Sequence, residues 1–170
     1  MYKRDRVWAD GFESQVLTIL NGLLPHLVVL NVASQEHDNH QATDFEIQLV
    51  GGTVAVRLRR PRYDYRDLTI RSSRTNGTKT ELAKIKEGYA YRYLYGWIDE
   101  NNRIVEWMLV DLDRVRSAGM LDGRREIYNT DGKTAFIAIP AEELCAKGCL
   151  VVWAGVWCAS IKKVMQHSVA

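Results

Sequence analysis

Two carboxylates and a run of guanidinium groups carry the chemistry this sequence offers. Glu13 falls in an apolar-periodic segment, Asp44 opens the stretch DFEIQLV, and Arg57 and Arg59 sit at the end of TVAVRLR. Carboxylate oxygens are hard ligands for Mg²⁺ or Mn²⁺, which polarise a phosphate and lower the pKa of a bound water. A cation beside them stabilises the negative charge that develops at the reacting phosphorus. Ten of the twenty-three Lys and Arg residues lie between Arg57 and Lys86, against three acids, Asp64, Asp67 and Glu81. That window has a formal charge of about +7, and the remainder of the chain about −5. A chain of formal net charge +2 therefore concentrates its cations in one strip, the pattern that suits a phosphodiester backbone and points to a nucleic acid as partner.

Local patterns place these residues on elements. From Gly11 to Leu24 the apolar residues Phe12, Val16, Leu17, Ile19, Leu20, Leu23 and Leu24 recur at three and four, which predicts an amphipathic helix that Pro25 ends. LVVLNV predicts a strand over 27–32, followed by a polar loop over 33–43. DFEIQLV alternates apolar and polar positions, and Gly51-Gly52 turns it into TVAVRLR, giving an antiparallel hairpin. DLTIRSS, 67–73, reads as a further strand or an extended loop. TELAKIKEG predicts a short helix with a Thr80 cap and a stop at Gly88. AYRYLYGWI and RIVEWMLVDL form a second hairpin about DENN, and DLDRVRSAGML, TAFIAIP, AEELCAKG and LVVWAGVW read as helix, strand, helix, strand. The expected fold is α/β, with a mixed central β-sheet flanked by helices.

Glu13 on the first helix, Asp44 on a strand and Val56-Arg57-Leu58-Arg59 on the next strand of a hairpin form a layout that resembles the PD-(D/E)XK nuclease superfamily. This is the fold of restriction endonucleases and archaeal Holliday-junction resolvases. The resemblance covers about residues 8–98, including the helix after the hairpin and the aromatic strand with Tyr91, Tyr93, Tyr95 and Trp97; residues 99–170 would be a C-terminal β/α extension. RDLTIRS and TELAKI with YLYGW also look like uncharacterised phage-encoded members. The resemblance implies a Mg²⁺- or Mn²⁺-dependent DNA phosphodiesterase, endonuclease or resolvase-like, with Glu13 and Asp44 as metal ligands. Many relatives act as dimers, so a homodimer is an expected assembly.

The sequence departs from the superfamily's acid-x-Lys tripeptide, because Arg57 stands at the acid and Arg59 at the lysine. Positions 57 and 59 share one strand face. Two fixed cations repel a metal, and guanidinium is a poor proton shuttle. Three readings stay open. Glu81 and Lys84, three apart on the second helix, can supply relocated catalytic groups. Asp44 and Glu46 can both ligate, with Arg59 as charge stabiliser. Alternatively, the site is inactive and the fold serves as a nucleic-acid-binding or phage structural protein.

Each signal has a plainer counterpart. Glu13 can be a solvent-facing helix residue, Asp44 a turn residue, and Glu46 the partner of a cross-strand arginine. Glu81 and Lys84 can be a surface helix pair. Arg60, Arg62, Arg66, Arg71, Arg74 and Lys79 can be a solvated face, but interleaved Tyr63 and Tyr65 and the acidic remainder favour contact with a nucleic acid. His37 and His40 lie in a polar loop without a third strong ligand, and the tyrosines at 91, 93 and 95 suit a core or an interface.

With 170 residues, 46% of them hydrophobic, the chain is expected to be one domain with its own core. The three cysteines, Cys145, Cys149 and Cys158, lack zinc-site spacing and are expected to be reduced thiols, mostly core fillers. MYKRDRVWADGF is too polar for a signal peptide, and no apolar run suits a membrane span, so the expected location is cytoplasmic.

Overall fold

The computed structural model describes residues 7–23, 29–31, 45–47, 52–61, 65–75, 77–130 and 132–155. After a helical turn over 7–10, the elements are α1 (Glu13–Leu23), β1 (Val29–Asn31), β2 (Phe45–Ile47), β3 (Gly52–Arg59), β4 (Asp67–Arg74), α2 (Glu81–Lys86), β5 (Arg92–Ile98), β6 (Ile104–Asp111), α3 (Leu112–Ser117), β7 (Ile127–Tyr128), β8 (Thr134–Pro140), α4 (Ala141–Ala146) and β9 (Leu150–Ala154). The fold is α/β. A six-stranded mixed sheet runs in the order β1-β2-β3-β5-β6-β9, and a three-stranded sheet in the order β4-β8-β7.

Within the large sheet β3 and β5 are parallel and the other neighbours antiparallel. The β2–β3 hairpin has the expected direction, with Phe45 opposite Val54. The period-2 alternation of β3 sorts its side chains between two cores. Val54 and Val56 join Leu94, Leu109 and the α1 residues Val16 and Leu20 on one face. Ala55 joins Tyr93, Tyr95, Met108 and Val110 on the other, packed with Leu68, Ile70, Ile137 and Ile139 of the small sheet and with Ile85, Val115 and Leu144 of the short helices. Thus α1 covers one face of the large sheet, and the small sheet covers the other.

Several elements differ from expectation in instructive ways. The segment at 67–73 is a strand, but β4 pairs with β8, 60 or more residues downstream, rather than with its neighbour β3. Its Leu68, Thr69 and Ile70 are all buried, which explains why its sequence shows no clean alternation. β7 is a two-residue strand with exposed side chains, too short to carry a pattern. Tyr93 and Tyr95 are core residues, whereas Tyr91 precedes β5 and is exposed. Cys149 is buried, and burial pushes its thiol pKa up; Cys145 is half-buried, and Cys158 lies outside the described residues. Among the described residues no helix is long and apolar enough to cross a membrane.

Candidate functional site

The seam between β3 and β4 gathers Arg57, Arg59 and Glu81, three of the polar side chains singled out by sequence. In the parallel register Arg57 lies beside Tyr95 and Arg59 beside Trp97, so all four face the small sheet. Arg59 Nη2 donates to Asp67 Oδ1 at 3.1 Å. Arg57 Nη2 donates to Glu81 Oε2 at 2.8 Å, and its Nη1 to the Thr69 carbonyl at 3.3 Å. Below them Thr69 Oγ1 and Tyr95 OH share a hydrogen bond of 2.6 Å.

Glu81 is the hub. Its Oε2 also accepts from the Arg71 backbone N–H at 2.8 Å, and its Oε1 accepts from Tyr93 OH. The local sequence aims it there: Thr80 caps α2 by accepting from Ala83 N at 3.2 Å, which fixes the first helical turn and the residue in it. Burial, foremost, raises the Tyr93 hydroxyl pKa well above its ordinary value, against an opposing pull from Arg57. Tyr93 therefore stays a neutral donor to the carboxylate.

Charge at this seam is unbalanced. The Arg71 guanidinium is pushed below the usual arginine range by burial first, then by the like charges of Arg57 and Arg74, with Glu81 opposing. Arg74 Nη1 donates to the neutral Thr78 hydroxyl at 3.1 Å. A register shift in the β4–β8 ladder between Arg71 and Ser73 breaks the alternation where these arginines lie, the kind of bulge that re-aims side chains. Arg71 thus feels two like charges, those of Arg57 and Arg74, against the one opposing carboxylate of Glu81.

Elsewhere the cationic strip is folded into the protein's own contacts. Arg66 Nε donates to Glu106 Oε2 at 2.7 Å and stacks over Trp97 at 5.1 Å, while Trp153 Nε1 donates to Glu106 Oε1 at 3.0 Å. Glu106 is only 3% exposed, so a buried carboxylate holds Arg66. Arg60 lies over the Trp8 ring at 4.9 Å. Lys79 pairs with Glu87 at 2.5 Å and Lys86 with Asp122 at 2.6 Å. Lys84, read from sequence as half of a surface pair with Glu81, is buried. Its helix turns that position inward, and Glu81 spends its oxygens on Arg57, Arg71 and Tyr93 instead.

Of the two positions expected to hold a metal, Glu13 is not brought together with the arginines. Glu13 is exposed in the first turn of α1, and α1 packs on the sheet face opposite Arg57 and Arg59. Asp44, Glu46's side chain, Arg62, Tyr63, His37 and His40 lie outside what is described. Among the described residues no three His, Cys, Asp or Glu side chains come close enough to share an ion. Arg57 pairs with Glu81 at the position where the resemblance puts a metal-binding acid.

Sequence reasoning missed Asp67, Thr69 and Tyr93 as members of the seam. One signal was available: Asp67 is one of three acids in a window of ten cations, and an acid in such a place is an arginine's partner more often than not. No protein-family model matches this sequence, and no curated protein matches it.

Proposed function

We propose that this protein binds nucleic acid through the cationic face that Arg71 and Arg74 form beside the Arg57–Glu81 pair. The observation that carries the reading is that the Arg71 guanidinium feels the like charges of both Arg57 and Arg74, which with burial lower its pKa, while the Glu81 carboxylate is already paired with Arg57. Like charges held together raise the free energy of the unliganded face, and phosphate groups relieve it by supplying the counter-charge. The test is affinity for a mixed-sequence DNA duplex as a function of salt. The logarithm of the binding constant should fall steeply with that of salt concentration, and Arg71→Ala with Arg74→Ala should flatten the slope by roughly 1 per lost phosphate contact. A slope that is flat for the wild type, or unchanged in the double variant, overturns the reading.

A second reading, metal-dependent phosphodiester hydrolysis, draws support from the element order: a helix, a hairpin, a helix and an aromatic strand beside β3. Asp44 is the residue on which it depends. Incubation of plasmid and branched DNA with Mg²⁺ or Mn²⁺ tests it. Cleavage lost in Asp44→Ala supports hydrolysis, and intact DNA in the wild type overturns it.

A further inference from the structure

We propose that Tyr89 and Tyr91 form a two-ring stacking step, flanked by Lys79, that gives this protein a preference for single-stranded nucleic acid. This inference rests on the nucleic-acid reading above and specifies the strand state that is bound. Both rings are exposed, at 39% and 44%, while Ala90 between them is fully buried, so the two tyrosines point outward from the same short segment. They are at most about 7 Å apart along the chain, near enough for consecutive bases to engage one ring each.

The segment is held rigidly. Thr53 Oγ1 donates to the Tyr89 carbonyl at 2.9 Å, Arg116 Nη1 to the Ala90 carbonyl at 3.1 Å, and Leu112 N to the Tyr91 carbonyl at 3.0 Å. Tyr89 N donates to Lys84 O and Tyr91 N to Thr53 O, each at 3.2 Å. Every backbone carbonyl of the step is therefore anchored to α3 or β3, so the rings are presented without an ordering cost in the backbone. One cation adjoins them: Lys79 Nζ, paired with Glu87, lies 5.4 Å from the Tyr89 ring centre. Rigid exposed aromatics beside cations are how single strands are held without regard to sequence, since an unpaired base offers its face and a duplex does not.

The experiment compares fluorescence anisotropy of a short labelled oligothymidylate and a labelled duplex of equal length, for the wild type, Y89L/Y91L and Y89F/Y91F. The expected result is a wild type that prefers the single strand, a loss of tenfold or more in single-strand affinity for the leucine variant with less than threefold loss for the duplex, and near-wild-type binding for the phenylalanine variant. Equal preference for the two DNAs in the wild type overturns the inference without needing any variant, and so does a leucine variant that keeps its single-strand affinity. Either outcome leaves salt-dependent duplex binding intact; a wild type that binds neither DNA overturns the underlying reading as well.

Discussion

Arg57 and Glu81, 24 residues apart in the chain, meet at 2.8 Å and tie β3 to the first turn of α2. Glu81 also receives the Arg71 N–H and the Tyr93 hydroxyl, so one carboxylate joins the large sheet, the small sheet and a helix. Glu81→Ala should therefore cost about 2–4 kcal/mol, because it removes the one acceptor shared by a half-buried guanidinium, a backbone N–H and a buried hydroxyl. Arg57→Met combined with Glu81→Leu should recover part of that loss, since removing both charges removes the desolvation cost as well. Urea unfolding of the three proteins reads both effects; a loss under about 1 kcal/mol for Glu81→Ala would show the hub to be dispensable.

The legible part of this fold was local. The α1 periodicity, the antiparallel β2–β3 pairing, the Thr80 cap and the Gly88, Gly119 and Gly148 stops each depend on nearby residues, and each matches an observed element; Gly52 itself belongs to β3, opposite Ile47, Gly51 lies outside the described residues, and the other three glycines all adopt positive φ. What the sequence could not reveal was partnership at a distance. Nothing in DLTIRSS tells that it pairs with TAFIAIP, and with that pairing unknown, Asp67 cannot be matched to Arg59 nor Thr69 to Tyr95. The charge of the strip was legible as a sum, but its disposition was not. Glu106 and Asp122, which neutralise Arg66 and Lys86, lie far outside the window in which the cations were counted.

Burial separates two ion pairs that look alike on paper. Arg66–Glu106 is nearly enclosed and shares its carboxylate with Trp153, whereas Lys86–Asp122 is exposed. Glu106→Ala should cost about 3–5 kcal/mol by removing the buried carboxylate that both Arg66 and Trp153 donate to, and Asp122→Ala less than about 1 kcal/mol. Gly155→Ala should weaken the same region from the other side. Its φ of 129° disfavours any side chain, and an added Cβ would fall 2.9 Å from Glu106 Cα. Thermal unfolding of the three variants checks the order; equal shifts for Glu106→Ala and Asp122→Ala would contradict it.

Helix caps offer a smaller, graded test. Thr80 accepts one backbone N–H of α2, and Asp111 accepts one of α3 at 3.1 Å while also pairing with Arg92 at 3.2 Å. Thr80→Ala should cost about 1 kcal/mol, and Asp111→Ala distinctly more because a cross-strand ion pair goes with the cap. Thr80→Ser should stay within a few tenths of a kcal/mol of the wild type, since it keeps the accepting oxygen. Denaturant midpoints at constant slope read these differences, and a larger loss for Thr80→Ala than for Asp111→Ala would refute the assignment.

Two core hydroxyls set the alkaline limit. Burial raises the pKa of Tyr93 and of Tyr95 above the ordinary tyrosine value, and Arg57 works against it in both cases. In the unfolded chain both ionise near pH 10. A group whose pKa is raised by folding contributes its stability in full below the unfolded value and loses it as pH climbs from that value toward the folded one. Folding stability should accordingly be level between about pH 8 and 9 on account of these two residues and decline above pH 10. Tyr95→Phe removes one of the two groups and, in keeping the ring, preserves most of the packing, at the cost of the hydrogen bond with Thr69. That variant should be less stable at neutral pH yet lose stability less steeply above pH 10. Parallel stability curves for the wild type and Tyr95→Phe from pH 9 to 11 would show that the hydroxyl is not held neutral by the fold.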